Sequence, residues 1–392
     1  MSSGSTANAA VSTPFRPAVP PVLHQHLEEY GFLQLQRRRL LFSTDFPLRR
    51  LPGHDERIAA HWDGLVLGAD ASVKIALDRF DAEDPWEIAS AIRVWLELGR
   101  PAATAVADRV AAADPEAAPS WREAFRQCAA EVVRAALPAA SLSALPSPAL
   151  ATAIEALGWQ GSLTPALAQT AASHADPLVR AALARNLPWA GLGPEVPALM
   201  RRLLDDAEAA VARRALWSAA NLAPAVALEH ARHLTHGPQP EPFALRVLGL
   251  LGGPEDAAAL VAATDGADSR PAACWALADL GTSEAVVGLI RLLALPDRSA
   301  IPLIVDALES AVGTIPREDL ESPPSPAAAD EHWRTLHDTL PRDTRVMDGR
   351  ARPWRAEESE EPLRWLWRAA LAGQRPQWPW LRREVPDGFF DG

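Results

Sequence analysis

At 392 residues the chain can bury a large core, and length alone allows two or three domains. Its apolar content is 48% but its aromatic content only 6%, so a core must be built mainly of Ala, Leu and Val, which suits close-packed helices better than sheets. The formal net charge of −12, with Lys74 the single lysine, argues against a nucleic-acid groove, which needs a basic stripe to displace counterions.

Residues 1–21 are rich in Ser, Thr, Ala and Pro and are expected to be disordered. They lack a charged segment followed by an apolar one, so they do not read as a signal peptide, and no run approaches the length of a membrane span. Cys128 and Cys274 lie far apart in apolar helical contexts without ligand spacing, and read as buried thiols. The expectation is a soluble bacterial protein of the cytoplasm, without a cofactor, nucleic acid or membrane as partner.

Residues 22–69 form an N-terminal helical cap. Its first helix (22–42) places Leu23, Leu27, Phe32, Leu35 and Leu40 at apolar positions. After a Pro/Gly break from Pro47 to Gly53, HDERIAAHWDGLVLG puts Ile58, Trp62, Leu65 and Val66 on one helical face. Residues 70–138 read as degenerate helical repeats. Asp84 is a natural N-cap followed by Pro85 at the first helical position, and Gly99 ends that helix. Pro101 opens the next helix, and Ser120 or a neighbour caps a long one through WREAFRQCAAEVVRAAL.

From 139 to 313 the repeats become regular. Pro165, Pro194, Pro224 and Pro254 follow at a spacing near 30, with Ser283 on the next beat, and each opens a short apolar run. Proline suits the first turn of a helix, where its missing N–H has no intrahelical partner. A fixed helix-start period near 30 marks a helical repeat array. Second helices fall between these starts, over 176–187, 207–222, 241–252, 268–281 and 297–313. Leu157-Gly158, Leu251-Gly252 and Leu280-Gly281 repeat as helix endings, with glycine expected in the left-handed conformation. Residues 314–332 read as a Pro/Ser/acid linker. The tail 333–392 carries six of the 14 tryptophans, with one helix expected in EEPLRWLWRAALAG. The predicted fold is all-α: a right-handed α-solenoid of helix pairs with a period of about 30 residues.

Three clusters invite a chemical reading. Glu229, His230, His233 and His236 share a repeat helix, but their spacing turns the last histidine off the common face, so a solvated or partner-facing edge is preferred to a metal site. His54 and His61 are seven apart and share a face beside Asp55 and Asp63; Asp55, Glu56 and Arg57 read better as capping groups and ties to neighbouring helices. Arg37, Arg38, Arg39, Arg49 and Arg50 form a basic cluster interleaved with acids, closer to a protein-binding patch than to a phosphate site. No phosphate loop, nucleophile elbow or Ser/His/Asp arrangement is present.

DPLVRAALARNL (176–187) resembles the HEAT repeat, in which an Asp in the turn and an Arg in the second helix form a ladder between successive repeats. The resemblance assigns that ladder to Asp176 with Arg180 and, more loosely, Asp206 with Arg213, while the block at 241–252 keeps only Arg246. HDERIAAHWDGLVLG (54–68) and RVMDGRARPW (345–354), with the repeats between, resemble a bacterial family of HEAT-repeat proteins of unassigned biochemical role, over roughly residues 25–355. That resemblance implies an association with type VI secretion genes and carries no catalytic residues. Iron-dependent HEAT hydroxylases use His-Glu dipeptides, of which this sequence has none.

The functional expectation is a non-enzymatic protein-binding scaffold, an adaptor, chaperone or accessory factor for secreted effectors. Its alternatives are an immunity protein that neutralises a toxin and a HEAT-type metal-dependent enzyme. Candidate partner contacts are Arg180, Arg185, Arg213, Arg214, Trp217 and Arg246 on the second helices. In the tail they are Trp365, Trp367, Trp378 and Trp380, whose preferred role is to cap the array.

Overall fold

The computed structural model describes residues 20–41, 51–236, 240–317, 322–340, 345–347 and 350–352. The chain is an α-solenoid in which successive helices pack on their neighbours in sequence. α1 (Pro20–Leu41), α2 (Leu51–Gly68) and α3 (Asp70–Leu77) form the N-terminal unit. α4 (Pro85–Glu97), α5 (Ala103–Ala112), α6 (Ala118–Gln127), α7 (Ala130–Ala136), α8 (Ala139–Leu142) and α9 (Ser147–Trp159) follow in looser order.

The regular pairs are α10 (Pro165–Ala172) with α11 (Pro177–Asn186), α12 (Val196–Leu204) with α13 (Ala209–Leu222), and α14 (Pro224–Thr235) with α15 (Pro242–Leu251). α16 (Ala257–Ala263) with α17 (Arg270–Leu280), and α18 (Ser283–Leu292) with α19 (Ile301–Val312), complete them. The second helices make one continuous row, α4–α6–α9–α11–α13–α15–α17–α19, with α1 packed on its first member.

The proline beat marks helix starts in two ways. Pro165 and Pro224 are first residues of α10 and α14, whereas Pro194 and Pro254 sit in short 3-10 turns that lead into α12 and α16. Side-chain caps fix several starts. Thr164 accepts from the Leu167 N–H, Asp84 from Trp86 and Glu87, and Glu241 from Ala244.

The repeated Leu-Gly endings divide three ways. Gly158 lies inside α9, which runs on to Trp159, and Gly252 is extended at φ −69°, ψ 176°. Gly281 alone of the three is left-handed, at φ 57°. A β-carbon on Gly252 would meet the Leu248 carbonyl of its own helix at 2.3 Å, whereas one on Gly158 would meet Asn186 of α11 at 2.6 Å, a close approach between helices. Gly249 makes the same point more strongly: α15 and α17 pack so closely there that a β-carbon would lie 2.4 Å from the Ala276 carbonyl.

Four expectations are corrected. α2 begins at Leu51, so Pro52 and Gly53 belong to its first turn, where proline is tolerated. Phe32 faces solvent at 55% exposure; Tyr30 and Leu33 take the buried places beside Leu23 and Leu27. The helix expected over Trp121–Leu137 is two, and Ser120 is a buried residue of α6 whose hydroxyl donates to the Pro85 carbonyl at 2.9 Å. Cys128 (ψ 153°) and Ala129 (ψ 145°) are extended at the break. Distant side chains satisfy the groups freed there. Glu97 accepts from the Ala129 N–H at 2.9 Å, and Gln160 Nε2 donates to the carbonyls of Phe125 and Cys128 at 3.0 and 2.9 Å.

The fourth correction concerns the end of the array. The linker assigned to 314–332 contains the start of α20 (Pro326–His337), capped by Ser325, and Trp333 is buried in it at 4% exposure. α20 packs on α18 as the next first helix would. In place of a second helix the chain forms a two-stranded antiparallel ribbon, β1 (Arg345–Met347) and β2 (Arg350–Arg352), so the fold is all-α but for this element among the described residues. The ribbon docks through Val346, whose N–H donates to the Gly281 carbonyl at 2.8 Å. A β-carbon at Gly281 would lie 2.3 Å from the Val346 carbonyl oxygen, so this site needs glycine for its φ and for its contact. Trp354, Trp365, Trp367, Trp378, Trp380 and the helix expected in EEPLRWLWRAALAG lie outside the described residues, as does the segment 1–19 of the expected disordered stretch.

Candidate functional site

Four of the five arginines expected to meet a partner, Arg180, Arg185, Arg213 and Arg246, are paired inside the array. Arg180 on α11 clasps Asp206, in the turn before α13, with Nε 2.6 Å from Oδ2 and Nη2 2.9 Å from Oδ1. Its Nη1 also donates to the carbonyls of His174 and Ala175. The hydrogen bond from Arg180 holds the Asp206 carboxyl below its usual range, and the same bond raises the guanidinium.

A ladder therefore exists, and its rungs join successive repeats, as the resemblance implies. Asp176 does not pair with Arg180 through a hydrogen bond: it accepts from the Leu178 N–H at 2.9 Å as the cap of its own helix. That amide is the main reason its carboxyl is lowered, with the Ser147 hydroxyl second. Arg213 pairs with Glu241, the cap of α15, at 3.3 Å. Glu241 thus supplies the acid that this block seemed to lack. Arg270, which sequence reading passed over, repeats the job of Arg180: it donates to the carbonyl of Thr264 and pairs with Asp297 at 2.7 Å. The signal for it was the spacing, since Arg180 and Arg270 each find an acid 26 or 27 residues on.

Arg246 breaks the pattern. The next second helix, α17, has Ser269 at its N-cap position, and Arg246 turns to Asp279, a fully buried carboxylate on α17, at 2.8 Å. Arg185 is buried on α11 and lies 4.0 Å from Glu155, which also pairs with Arg122 at 3.2 Å. Trp217 is 1% exposed and belongs to the core, so it is not a surface contact; it stands on the face of α13 that meets its neighbours. Arg214 is half-buried on the same helix. A second set of rungs links first helices, with Arg232 on Asp256 (2.8 Å) and Glu255 (2.7 Å), and Gln169 on Glu195 (3.4 Å).

What remains open to a partner lies mostly elsewhere. Among the described residues the large exposed apolar side chains gather on the first three helices: Val22 and Phe32 on α1, Val66 and Leu67 on α2, Leu77 on α3. Leu67 is 70% exposed. Leu178, Leu222 and Val226 are the others. The inner side of this unit is tightly made: Tyr30 is fully buried, donates to Gln127 Oε1 at 2.7 Å and accepts from Arg93 and Gln34, and burial pushes its phenol upward. Arg93 stacks over Trp62 at 3.8 Å.

The histidines take separate places. His54 is buried against the Leu33 carbonyl at 2.9 Å, while His61 faces His26, so the two do not meet. Asp55 ties α2 to α1 through Arg37 at 2.8 Å. On α14, burial lowers His230, and His236 accompanies the Arg232 carbonyl. No group of three or more His, Cys, Asp or Glu is gathered as a metal site among the described residues. Both cysteines are buried thiols, with Cys274 pushed up to about 11 by desolvation. No described helix is long and apolar enough to cross a membrane. Compared with models of known protein families and with curated proteins, the chain matches none.

Proposed function

We propose that the chain is a non-enzymatic protein-binding scaffold, acting in the bacterial cytoplasm as an adaptor, chaperone or accessory factor for type VI secretion effectors. The observation that carries the binding role is the exposure of large apolar side chains on α1–α3, with Phe32 toward one end of the α1/α2 seam and Leu67 toward the other, at 55% and 70% exposure. Exposed apolar patches of this kind mark protein interaction sites. Behind it a ladder of ion pairs ties successive repeats of the array to one another. The link to secretion rests on the resemblance of residues 54–68 and 345–354 alone.

Affinity purification from the native host, with partners identified by mass spectrometry, tests the reading. A secreted effector should co-purify with the intact chain and be lost from a Phe32→Ser/Leu67→Ser variant of unchanged thermal midpoint. Deletion of the gene should then abolish effector secretion. If secretion survives and the cells become sensitive to a neighbour's toxin, the adaptor role fails and the immunity role replaces it.

A further inference from the structure

α1 and α2 lie antiparallel, with Arg37 on Asp55, Leu33 on His54 and Leu23 against Gly68. Midway along this seam His26 and His61 meet, Nδ1 to Nδ1 at 3.2 Å, with ring centroids 5.2 Å apart and ring planes at 69°. The seat for His26 is shaped by α2. Gly64, one turn after His61, lies under the imidazole so closely that a β-carbon would stand 2.6 Å from Nε2.

Two ring nitrogens at this distance form an N–H···N hydrogen bond when one ring carries its proton on Nδ1, and a cation can take that proton's place when both rings present lone pairs. Zinc bonds imidazole nitrogen at about 2.0–2.1 Å, so a tetrahedral centre places two such nitrogens about 3.3 Å apart. The observed separation is close to that spacing. Neutral imidazole is the ligand form, and desolvation, then His26, lowers His61 toward it. Of the charges that act on His61, Glu29 on α1 would favour a cation and Arg57 on α2 opposes one.

We propose that His26 and His61 form a two-histidine site for a borderline divalent transition-metal ion, zinc or copper, which clips α1 to α2. The protein supplies two ligands and water the remainder, in keeping with the absence of any gathered set of three among the described residues. A clip of this kind loads reversibly, and it stiffens the helices that carry Phe32 and Leu67.

Zinc chloride alone, added to the metal-free full-length chain, should raise the thermal midpoint by an amount that grows with concentration, as for any ligand that binds only the folded state. Calorimetric titration should give one strong site per chain. His26→Gln and His61→Gln should each abolish both effects, while His233→Ala leaves them intact. Because either glutamine variant could disturb the seam, imidazole nitrogen spectra of the unaltered chain provide an independent reading: zinc should shift the resonances of His26 and His61 ahead of the other histidines. No rise in midpoint up to millimolar zinc, a zinc effect that persists in both glutamine variants, or shifts confined to His230 and His233 would overturn the proposal.

Discussion

The regular array, α9 to α19, and the N-terminal unit, α1 to α3, treat their surfaces in opposite ways. In the array Arg180, Arg213, Arg246 and Arg270 are committed to carboxylates of the next repeat, and the large aromatic of α13, Trp217, is sealed in the core. In the N-terminal unit the internal polar groups are equally well tied, around Tyr30 and Arg93, yet Phe32 and Leu67 are left in water. Both regions are packed, but among the described residues five of the eight exposed large apolar side chains belong to the N-terminal unit and three to the array. The difference teaches that charge on a repeat helix is poor evidence for a binding face until its partners in the fold are known.

The largest effect that would sharpen this contrast comes from the two aromatics. Trp217→Ala should cost about 3–5 kcal/mol in chemical denaturation, because it opens a cavity in a closed core. Phe32→Ala should change stability by no more than about 0.5 kcal/mol, since the side chain is mostly solvated. Equal costs would break the distinction.

A smaller loss is expected from crowding the stack. Gly249→Ala places a methyl group 2.4 Å from the Ala276 carbonyl oxygen, and α15 can accept it only by moving off α17. About 1–3 kcal/mol should be lost, the usual range for overpacking, read as a lower denaturant midpoint at unchanged slope.

The ladder comes next. Arg180→Ala leaves Asp206, 9% exposed in its side chain, without its two charge-assisted bonds, at a cost of about 1.5–3 kcal/mol. Arg180→Lys should recover only part of it, because lysine cannot make the paired contact.

The smallest effect is in pH dependence. Asp176, Asp206 and Asp297 have folded-state values below those of the unfolded chain, the first chiefly through the Leu178 amide, the second through Arg180, the third through Ser299. Such groups add stability that is present above the unfolded carboxylate pKa and is lost as pH falls through the folded one. Thermal midpoints should therefore fall on acidification below about pH 4, and Arg180→Ala should flatten part of that fall.

Much of the array was legible because its signals are local. Proline at the first turn, Asp84 as a cap, and alternating short apolar runs each act within a few residues, and the helices they announce stand within a few positions of where they were read. The break at Cys128 was not legible. Neither glycine nor proline marks it, and the groups that stabilise it, Glu97 and Gln160, arrive from 32 residues away on either side.

The ladder was half legible for the same reason. Residue types and roles could be named, but Asp176 is engaged by an amide two residues on while the partner of Arg180 lies in the next repeat. The exposed face was misread at Phe32, where a helical pattern with apolar residues at 30, 32, 33 and 35 does not say which of them meets α4. The ribbon left no trace in the pattern, since three-residue strands are too short to show alternation.

The central claim is that contact with a partner belongs to the N-terminal face and the array arginines are structural. Quantitative co-purification of the native partner with Arg180→Ala and with Phe32→Ser/Leu67→Ser, each beside its thermal midpoint, tests it most directly. The account predicts that Arg180→Ala melts earlier and keeps its partner, while the double variant melts like the parent and loses it. A partner lost with Arg180→Ala at an unchanged midpoint, and kept by the double variant, would contradict it.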